Sequence, residues 1–176
     1  MKIINTKLQG LKIIKGINHY DNRGYFRETF KNIFFKKKNF IFWCMSKSKK
    51  NVLRGLHLQK KFGQDKFISV VKGKIFDVVV DLRKKSKTYG KKYTIILSDK
   101  NSTSLFIPAG FAHGFCTLEK ENLVFYGCTN YRSKKDEIGI IWNDNKLKIK
   151  WPIKKPLVSK KDKKLKSFLD FKKTYR

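Results

Sequence analysis

The residues best suited to acid–base chemistry lie in one stretch, which runs from residue 51 to residue 82 and reads NVLRGLHLQKKFGQDKFISVVKGKIFDVVVDL. It contains His57, one of three histidines in the chain, with Arg54 three residues before it and Lys66 nine residues after it. An imidazole takes up and releases protons near neutral pH, and nearby cations can stabilise negative charge that develops on a substrate. The stretch therefore suggests a proton-transfer site, although a lone histidine is also compatible with a structural role.

The residues alone leave open which groups would assist His57. A neighbouring carboxylate could fix the tautomer of the imidazole and raise its basicity. The candidates include Asp77, Asp81 and Asp162. Lys66 could stabilise a developing enolate oxygen. The phenol of Tyr126 could donate a proton, or it could pack with its hydroxyl at a rim.

A metal site is the competing chemistry. His57 and His113 could converge inside a barrel, but the motif His57-Leu58-Gln59 offers one imidazole where a second ligand would be expected. His19 lies in an N-terminal turn, and carboxylates are scarce. Because a transition metal normally takes three or four N, O or S ligands, we expect neither a metal nor another cofactor.

The elements that must position these groups are predicted to be short strands. Two alternating runs meet at Gly73, and in the second run Phe76, Val78, Val80 and Leu82 share one face. Asp77 and Asp81 fall on the other face, with Ile75 and Val79. Further strands are predicted at 92–98, at 104–118 around a Pro-Ala-Gly turn, and at 122–131. This spacing predicts an all-β sandwich or barrel.

Three other segments give weaker patterns. Residues 30–43, FKNIFFKKKNFIFW, predict a short surface helix followed by a core strand, and an aromatic–basic strip for single-stranded nucleic acid is the alternative. SKSKK at 46–50 predicts a polar turn. Only the tail predicts a helix, capped by Ser159, with Leu165, Phe168 and Leu169 at helical spacing.

Composition limits the class of protein. With 176 residues and 40% hydrophobic content, the chain is expected to fold as one domain. It has no apolar run of the roughly 20 residues that span a bilayer, and no signal-peptide pattern. Three cysteines without paired spacing suggest reduced thiols in the cytoplasm. We therefore expect a cytoplasmic protein that makes no membrane contact.

The formal net charge of +30 raises the hypothesis of a nucleic-acid-binding protein. However, only six of the 43 basic residues are arginines, so 37 are lysines, and these are scattered along the chain. Base and phosphate recognition favours arginine, and no nucleic-acid-binding motif is present. A lysine-rich solvated surface is the preferred interpretation, and a Lys-rich nucleic-acid-binding β-barrel is kept as the alternative of another class.

Several ordered motifs resemble the dTDP-4-dehydrorhamnose 3,5-epimerase family. They are RGLHLQ (54–59), KGKIFDVVVDLR (72–83), KTYG (87–90), IPAGFAHGF (107–115), FYGCTNY (125–131) and IIWND…WP (140–152). The resemblance covers about Gly10 to Asp162. It implies one cupin-type β-jelly-roll domain over residues 1–176, with a short C-terminal helical segment, that acts as a metal-independent homodimer on a nucleotide sugar.

The resemblance also implies roles for single residues. His57 is similar to the base that removes the proton alpha to a 4-keto group, and Asp162 to its carboxylate partner. Lys66 matches the lysine near the keto oxygen, and Tyr126 the tyrosine that returns a proton from the opposite face. Arg23 and Arg54 resemble the diphosphate contacts. Other substrate-binding positions are matched by Glu28, Gln59, His113, Arg132 and Glu137. In this family some of these residues come from the partner subunit.

The chain departs from the family pattern in the expected nucleotide-binding region. Phe42 and Cys44 replace a Gln-x-Asn pair, and Arg132 replaces a tyrosine that stacks on the thymine. The expected activity is epimerisation of dTDP-4-dehydro-6-deoxyglucose at C3 and C5, in deoxysugar synthesis for surface polysaccharide. The alternative is a single-centre epimerase or ketoisomerase that acts on another nucleotide sugar, such as a GDP-linked one.

Overall fold

A computed structural model describes residues 1–35 and 38–175, and β-strands dominate these ranges. The strands are β1 (Lys2–Asn5), β2 (Lys12–Lys15), β3 (His19–Asp21), β4 (Gly24–Phe26), β5 (Phe42–Lys49), β6 (Val52–Gln59), β7 (Lys66–Lys72), β8 (Lys74–Asp81), β9 (Lys92–Ser98), β10 (Thr103–Ile107), β11 (Phe111–Thr117), β12 (Glu121–Cys128), β13 (Glu137–Gly139) and β14 (Leu157–Val158). Two 3₁₀ turns (Asn32–Phe35 and Asp162–Lys164) and one helix, α1 (Phe168–Thr174), complete the described elements. None of the helices in these ranges is long and apolar enough to cross a membrane.

The larger strands form two sheets. Sheet I has the order β1-β2-β10-β7-β12-β5, and sheet II has the order β13-β6-β11-β8-β9, with β14 added parallel to β6. Strands β3 and β4 form a separate two-stranded hairpin. Most neighbours in both sheets are antiparallel and far apart along the chain. The prediction of an all-β architecture with a short C-terminal helix is confirmed.

The alternating pattern of β8 reflects burial on both of its faces. Ile75 and Val79 belong to the main core between the two sheets, where they join side chains of β7, β10 and β12. Val78 and Val80 point the other way into a second cluster, which Phe171 of α1 helps to cover. Because each face meets its own apolar layer, β8 is a fixed central strand of sheet II.

The predicted helix cap at Ser159 is wrong. The Ser159 hydroxyl accepts a hydrogen bond from the Asp162 backbone N–H at 3.0 Å, and a single 3₁₀ turn follows at Asp162–Lys164. Leu165 is extended, which ends that turn. The helix begins only at Phe168, where the Ser167 side chain accepts from the backbone N–H of Asp170. A 3₁₀ turn and a separate short helix therefore replace the single predicted helix.

The N-terminal half requires two further corrections. The polar turn predicted at 46–50 is wrong, because β5 continues as a regular strand to Lys49 and pairs with β12 along its length. Where a surface helix was predicted, the structure has a 3₁₀ turn at Asn32–Phe35. Lys36 and Lys37 lie outside the described residues. The strand that follows begins at Phe42.

Buried Asp81 anchors the turn after β8. Its carboxylate accepts hydrogen bonds from Arg83, from the Ser86 hydroxyl at 2.6 Å and from the Thr88 hydroxyl at 2.6 Å. Burial acts to raise the pKa of Asp81, but these bonds outweigh it and lower the pKa from 3.8 to about 2. The ionised carboxylate therefore stabilises the fold.

Asp81→Asn is expected to lower the free energy of unfolding by about 2 kcal/mol at neutral pH. The pKa of the Asp81 carboxylate is lower in the folded state than in the unfolded state. Its contribution to the free energy of unfolding is therefore complete above about pH 4 and is lost as the pH falls through about 2. Urea denaturation at several pH values measures this, with the exposed Asp21→Asn as control. A difference between Asp81→Asn and the wild type that stayed constant down to about pH 2 would contradict the assignment.

Candidate active site

A cavity of about 710 Å³ opens between the two sheets. Strands β5, β7 and β12 of sheet I line one wall, β6 and β11 of sheet II line the other, and the segment 156–163 closes one side. Nine of the eleven predicted site residues line this cavity. They are Arg54, His57, Gln59, Lys66, His113, Tyr126, Arg132, Glu137 and Asp162.

His57 and Asp162 form a hydrogen-bonded pair on the wall of sheet II. The His57 Nε2 atom lies 2.8 Å from Asp162 Oδ1, and the other carboxylate oxygen accepts the Gly55 backbone N–H at 3.0 Å. Burial acts to raise the pKa of Asp162, but the bond to His57 and the other hydrogen bonds outweigh it, so the pKa lies below its ordinary value. An ionised carboxylate can only accept, so Nε2 carries the proton and Nδ1 is left as the basic nitrogen.

Gly55 brings these two groups together. Its φ of +110° is in the region that favours glycine, and a Cβ at this position would lie 2.6 Å from both the His113 carbonyl oxygen and Gly114 Cα. The absence of a side chain therefore lets β6 pass close to β11 while its N–H points at Asp162. The register between the two strands shifts at this place.

Tyr126 lies on the opposite wall, on β12 of sheet I. Its ring is partly buried against the main core, 6.5 Å from the ring of Phe115, and its hydroxyl lies 2.9 Å from the Ser46 hydroxyl. Burial raises the pKa of the Tyr126 phenol, while the bond to Ser46 and the positive charge of Arg54 oppose this rise. The phenol therefore stays protonated at neutral pH and can act as an acid.

Lys66 lies on the same wall as Tyr126, at the start of β7, where it stands opposite Cys128 of β12. Burial lowers the pKa of its ammonium group, and the nearby Arg132 adds to this effect. Cys44 and Cys128, with Glu137, act in the opposite direction. A cation in a partly enclosed cavity of this kind is suited to stabilise an oxyanion, because its charge is poorly screened by water.

A second histidine–carboxylate pair lies deeper, behind the first. His113 is paired with His57 across β11 and β6, and its Nε2 atom lies 2.8 Å from Asp77 Oδ2. Both side chains are buried, and Asp77 Oδ1 has no hydrogen-bond partner among the described residues. The inward-facing Asp77 of β8 therefore holds His113 at the cavity floor.

Charged and polar groups form the rim. Arg132 makes two hydrogen bonds to Glu137, which also pairs with Lys161, next to Asp162 in the chain. At the opposite end, Arg54 donates to the Ser48 hydroxyl at 3.0 Å. Gln59 exchanges hydrogen bonds with the backbone of Ser133, on the segment that follows Arg132. The rim thus presents two guanidinium groups, one at each end of the cavity.

Arg23 and Glu28, the remaining two predicted site residues, do not line this cavity. Arg23 lies in the β3–β4 hairpin with its side chain 86% exposed, and it pairs with Asp21 at 2.6 Å. Glu28 follows the hairpin and pairs with Lys31 at 2.7 Å. The hairpin also exposes the aromatic rings of Tyr20 and Phe26.

Three contacts of the site were not predicted. Ser46 bonds to Tyr126, Ser159 bonds to the backbone of Asp162, and Lys161 bonds to Glu137. Within residues 1–35 and 38–175, no group of three or more His, Cys, Asp or Glu side chains could hold a metal ion. The geometry presents an imidazole on one wall and a phenol on the other, a pattern suited to moving protons on a flat intermediate.

Comparison with known proteins decides the family. The family model for dTDP-4-dehydrorhamnose 3,5-epimerase matches residues 5–170 of the chain. The dTDP-4-dehydrorhamnose 3,5-epimerase of Shigella flexneri is 42% identical over 176 residues, which covers 97% of each chain. The chain belongs to the dTDP-4-dehydrorhamnose 3,5-epimerase family. The resemblance and the enzyme class predicted from the sequence are thereby confirmed.

Solved structures of the epimerase family agree in fold. The dTDP-4-dehydrorhamnose 3,5-epimerase of Elizabethkingia anophelis NUHP1 superposes with a TM-score of 0.90 at 39% identity, covering 97% of both chains. The dTDP-6-deoxy-D-glucose-3,5-epimerase of Legionella pneumophila Philadelphia 1, solved in complex with dTDP-4-keto-L-rhamnose, gives 0.91 at 39% identity and covers 94% of this chain and 92% of that one. The cupin-type jelly roll is therefore confirmed. The matches favour the epimerase interpretation over the ketoisomerase and the nucleic-acid-binding barrel.

Proposed function

We propose that this chain converts dTDP-4-dehydro-6-deoxyglucose to dTDP-4-dehydrorhamnose by inverting C3 and C5. The observation that carries the proposal is the placement of the His57–Asp162 pair and of Tyr126 on opposite walls of one cavity. Inversion of a carbon centre needs removal of a proton from one face and delivery of a proton to the other. An imidazole and a phenol that face each other across the substrate meet this requirement.

The reaction begins with loss of a proton alpha to the 4-keto group. His57 Nδ1 takes the proton, and the resulting imidazolium is stabilised by the carboxylate of Asp162. The electron pair of the broken C–H bond becomes the C=C bond of the enolate, and the π pair of the carbonyl moves to the keto oxygen, where Lys66 stabilises the charge. Tyr126 then donates its proton to the opposite face of the carbon as the C=O bond re-forms.

The diphosphate of the substrate would contact Arg54 at the cavity rim. Two negative phosphates fit a guanidinium that the Ser48 hydroxyl already orients. The high net charge of the chain also favours the approach of an anionic substrate. Support for the nucleotide comes from the Legionella epimerase, which was solved with a dTDP-linked keto sugar.

Turnover of a panel of 4-keto-6-deoxy sugars linked to thymidine, uridine or guanosine diphosphate tests the proposal. We expect the thymidine-linked sugar to be converted to the rhamno product, as measured by chromatography with mass spectrometry. Conversion of the guanosine-linked sugar alone would overturn the proposed substrate. Conversion of none of them would overturn the activity.

The homodimer belongs to the same proposal, because the exposed hairpin can complete the site of a second copy. Arg23 would then add a phosphate contact from the partner subunit to the contact made by Arg54. We expect Arg23→Ala to lower kcat/KM roughly ten- to hundredfold, mainly through KM, since a hydrogen bond to a charged group is lost.

Mixed dimers separate this arrangement from contacts within one subunit. Arg23→Ala and His57→Ala are each impaired alone, but a mixed dimer has one cavity in which both residues are native. When equal amounts of the two variants are unfolded, mixed and refolded together, random pairing should therefore restore about a quarter of the wild-type activity. Activity no higher than that of the unmixed variants would exclude exchange of the hairpin between subunits.

Cytoplasmic location stays a prediction from the three free cysteines.

A further inference from the structure

The hydroxyl of Tyr126 has a single hydrogen-bond partner among the described residues, and this partner is Ser46. Ser46 lies on β5, the edge strand of sheet I, where it stands opposite Val124 of β12, while Cys44 stands opposite Tyr126. The contact is thus a diagonal one between side chains on the cavity face of two paired strands. It joins the phenol to a side chain that is only partly buried and that also lines the cavity.

The surroundings of Tyr126 make this contact important for proton transfer. The ring is packed against the apolar core, and the carboxylate of Asp77 disfavours a phenolate. A phenolate left after proton donation therefore needs compensation. Two groups supply it, the hydroxyl of Ser46 through a hydrogen bond and the guanidinium of Arg54 through its charge.

A serine hydroxyl is suited to both states of the phenol. It can accept a hydrogen bond from the neutral phenol and, after rotation about its C–O bond, donate one to the phenolate. Hydrogen bonds to a charged acceptor are shorter and stronger than neutral ones, so the contact tightens as the proton leaves. The Ser46 hydroxyl thus stabilises the state that follows proton transfer more than the state before it.

We propose that Ser46 is a positioning residue for Tyr126, which aims the phenol at the substrate and stabilises the phenolate after proton donation. This inference rests on the proposed epimerisation. In the step concerned, the O–H bond of Tyr126 breaks and a C–H bond forms on the substrate, while the enolate electron pair becomes that new bond. The phenolate then regains a proton from water in the open cavity, with Ser46 as the connecting hydroxyl.

The test separates exchange from inversion in D₂O. Deprotonation by His57 allows deuterium to enter without inversion, whereas inverted product requires Tyr126. The variants are Ser46→Thr, which keeps a hydroxyl, and Ser46→Val, which has nearly the same shape without one. Both are β-branched and suited to an edge strand, so the two variants differ mainly in the hydroxyl.

We expect Ser46→Val to lower the rate of inversion roughly ten- to hundredfold, while exchange changes by less than about threefold. Ser46→Thr should restore inversion to within about threefold of the wild type. Ser48→Ala serves as matched control, because Ser48 lies two residues along on the same face but bonds to Arg54. It should weaken exchange and inversion together.

Two results would overturn the inference. Equal rates of inversion in Ser46→Val and Ser46→Thr would exclude a role for the hydroxyl. A parallel loss of exchange and inversion in Ser46→Val would indicate a merely structural role for Ser46. Wild-type protein that exchanges no deuterium with any of the keto sugars would instead overturn the proposed function. The two failures are therefore distinguishable.

Discussion

Replacement of His57 by alanine should abolish deuterium uptake and inversion together, with a loss of at least about 10³ in kcat. The reason is the proposed role of His57 as the base, which Asp162 holds at the cavity wall while its other carboxylate oxygen accepts the Gly55 N–H. The other histidine of this wall, His113, is engaged with Asp77 deeper in the fold. The measurement is mass spectrometry of the keto sugar after incubation in D₂O.

Controls for this prediction come from the same chain. His19→Ala removes the exposed histidine of the hairpin strand β3 and should leave uptake at the wild-type rate. Thermal unfolding checks that His57→Ala remains folded, and its melting temperature should fall because the buried carboxylate of Asp162 loses its hydrogen-bond partner. Uptake by folded His57→Ala at more than about one-tenth of the wild-type rate would remove His57 from the role of base.

Replacement of Tyr126 by phenylalanine should separate the two half-reactions. The ring keeps its packing against Phe115, so the fold is retained, but the proton donor on the wall of sheet I is lost. Inversion should fall by roughly 10²–10⁴, whereas exchange mediated by His57 should stay within about tenfold. The starting sugar recovered from the reaction in D₂O should therefore carry deuterium without having changed configuration.

Nuclear magnetic resonance of the recovered sugar measures label and configuration in one sample. Tyr131→Phe is the matched control, because Tyr131 is 68% exposed and is not among the described residues that line the cavity. It should leave the ratio of inversion to exchange unchanged. An equal loss of both rates in Tyr126→Phe would argue against a donor on the far face.

The contrast between the two variants depends on how the walls are built. His57 is on sheet II and Tyr126 is on sheet I, so each substitution removes a group from one face of the substrate only. If a single residue served both faces of the substrate, replacing that residue would lower exchange and inversion equally. Replacing the other residue would then lower neither rate. The asymmetry expected here is a direct consequence of the two-sheet architecture.

The central strands could be predicted from the sequence because burial leaves a clear pattern. The side chains of β8 alternate between two apolar layers. Its inward face also carries Asp77 and Asp81, which form hydrogen bonds with His113 and Ser86. The turn at Pro108 and the strands on either side of it were predicted for the same reason. In these segments the local pattern and the tertiary contacts agree.

The edge strand β5 could not be predicted in full, and the reason is physical. Its outward face carries Lys47 and Lys49, and its inward face carries Ser46, which lines the cavity, and Ser48, which accepts a hydrogen bond from Arg54. Neither face is apolar, so the period-2 hydrophobic signal is absent and the segment was predicted to be a turn. The contact between Ser46 and Tyr126 could not be found without that strand.

The pairing of His57 with Asp162 was beyond local reasoning for a different reason. The two residues are 105 positions apart, and several carboxylates were equally plausible partners on residue type alone. Asp77 is committed to His113, and Asp81 to the turn after β8. Family resemblance pointed to Asp162, and the geometry shows a short contact that periodicity does not encode.

The number of deuterium atoms that wild-type protein places in its product is the most direct test of two-sided proton transfer. Incubation of dTDP-4-dehydro-6-deoxyglucose in D₂O should give dTDP-4-dehydrorhamnose with deuterium at both C3 and C5, seen as a mass increase of about two units from these positions. Product that formed with hydrogen retained at both carbons would contradict the account, because no proton would then have been exchanged through His57 and Tyr126.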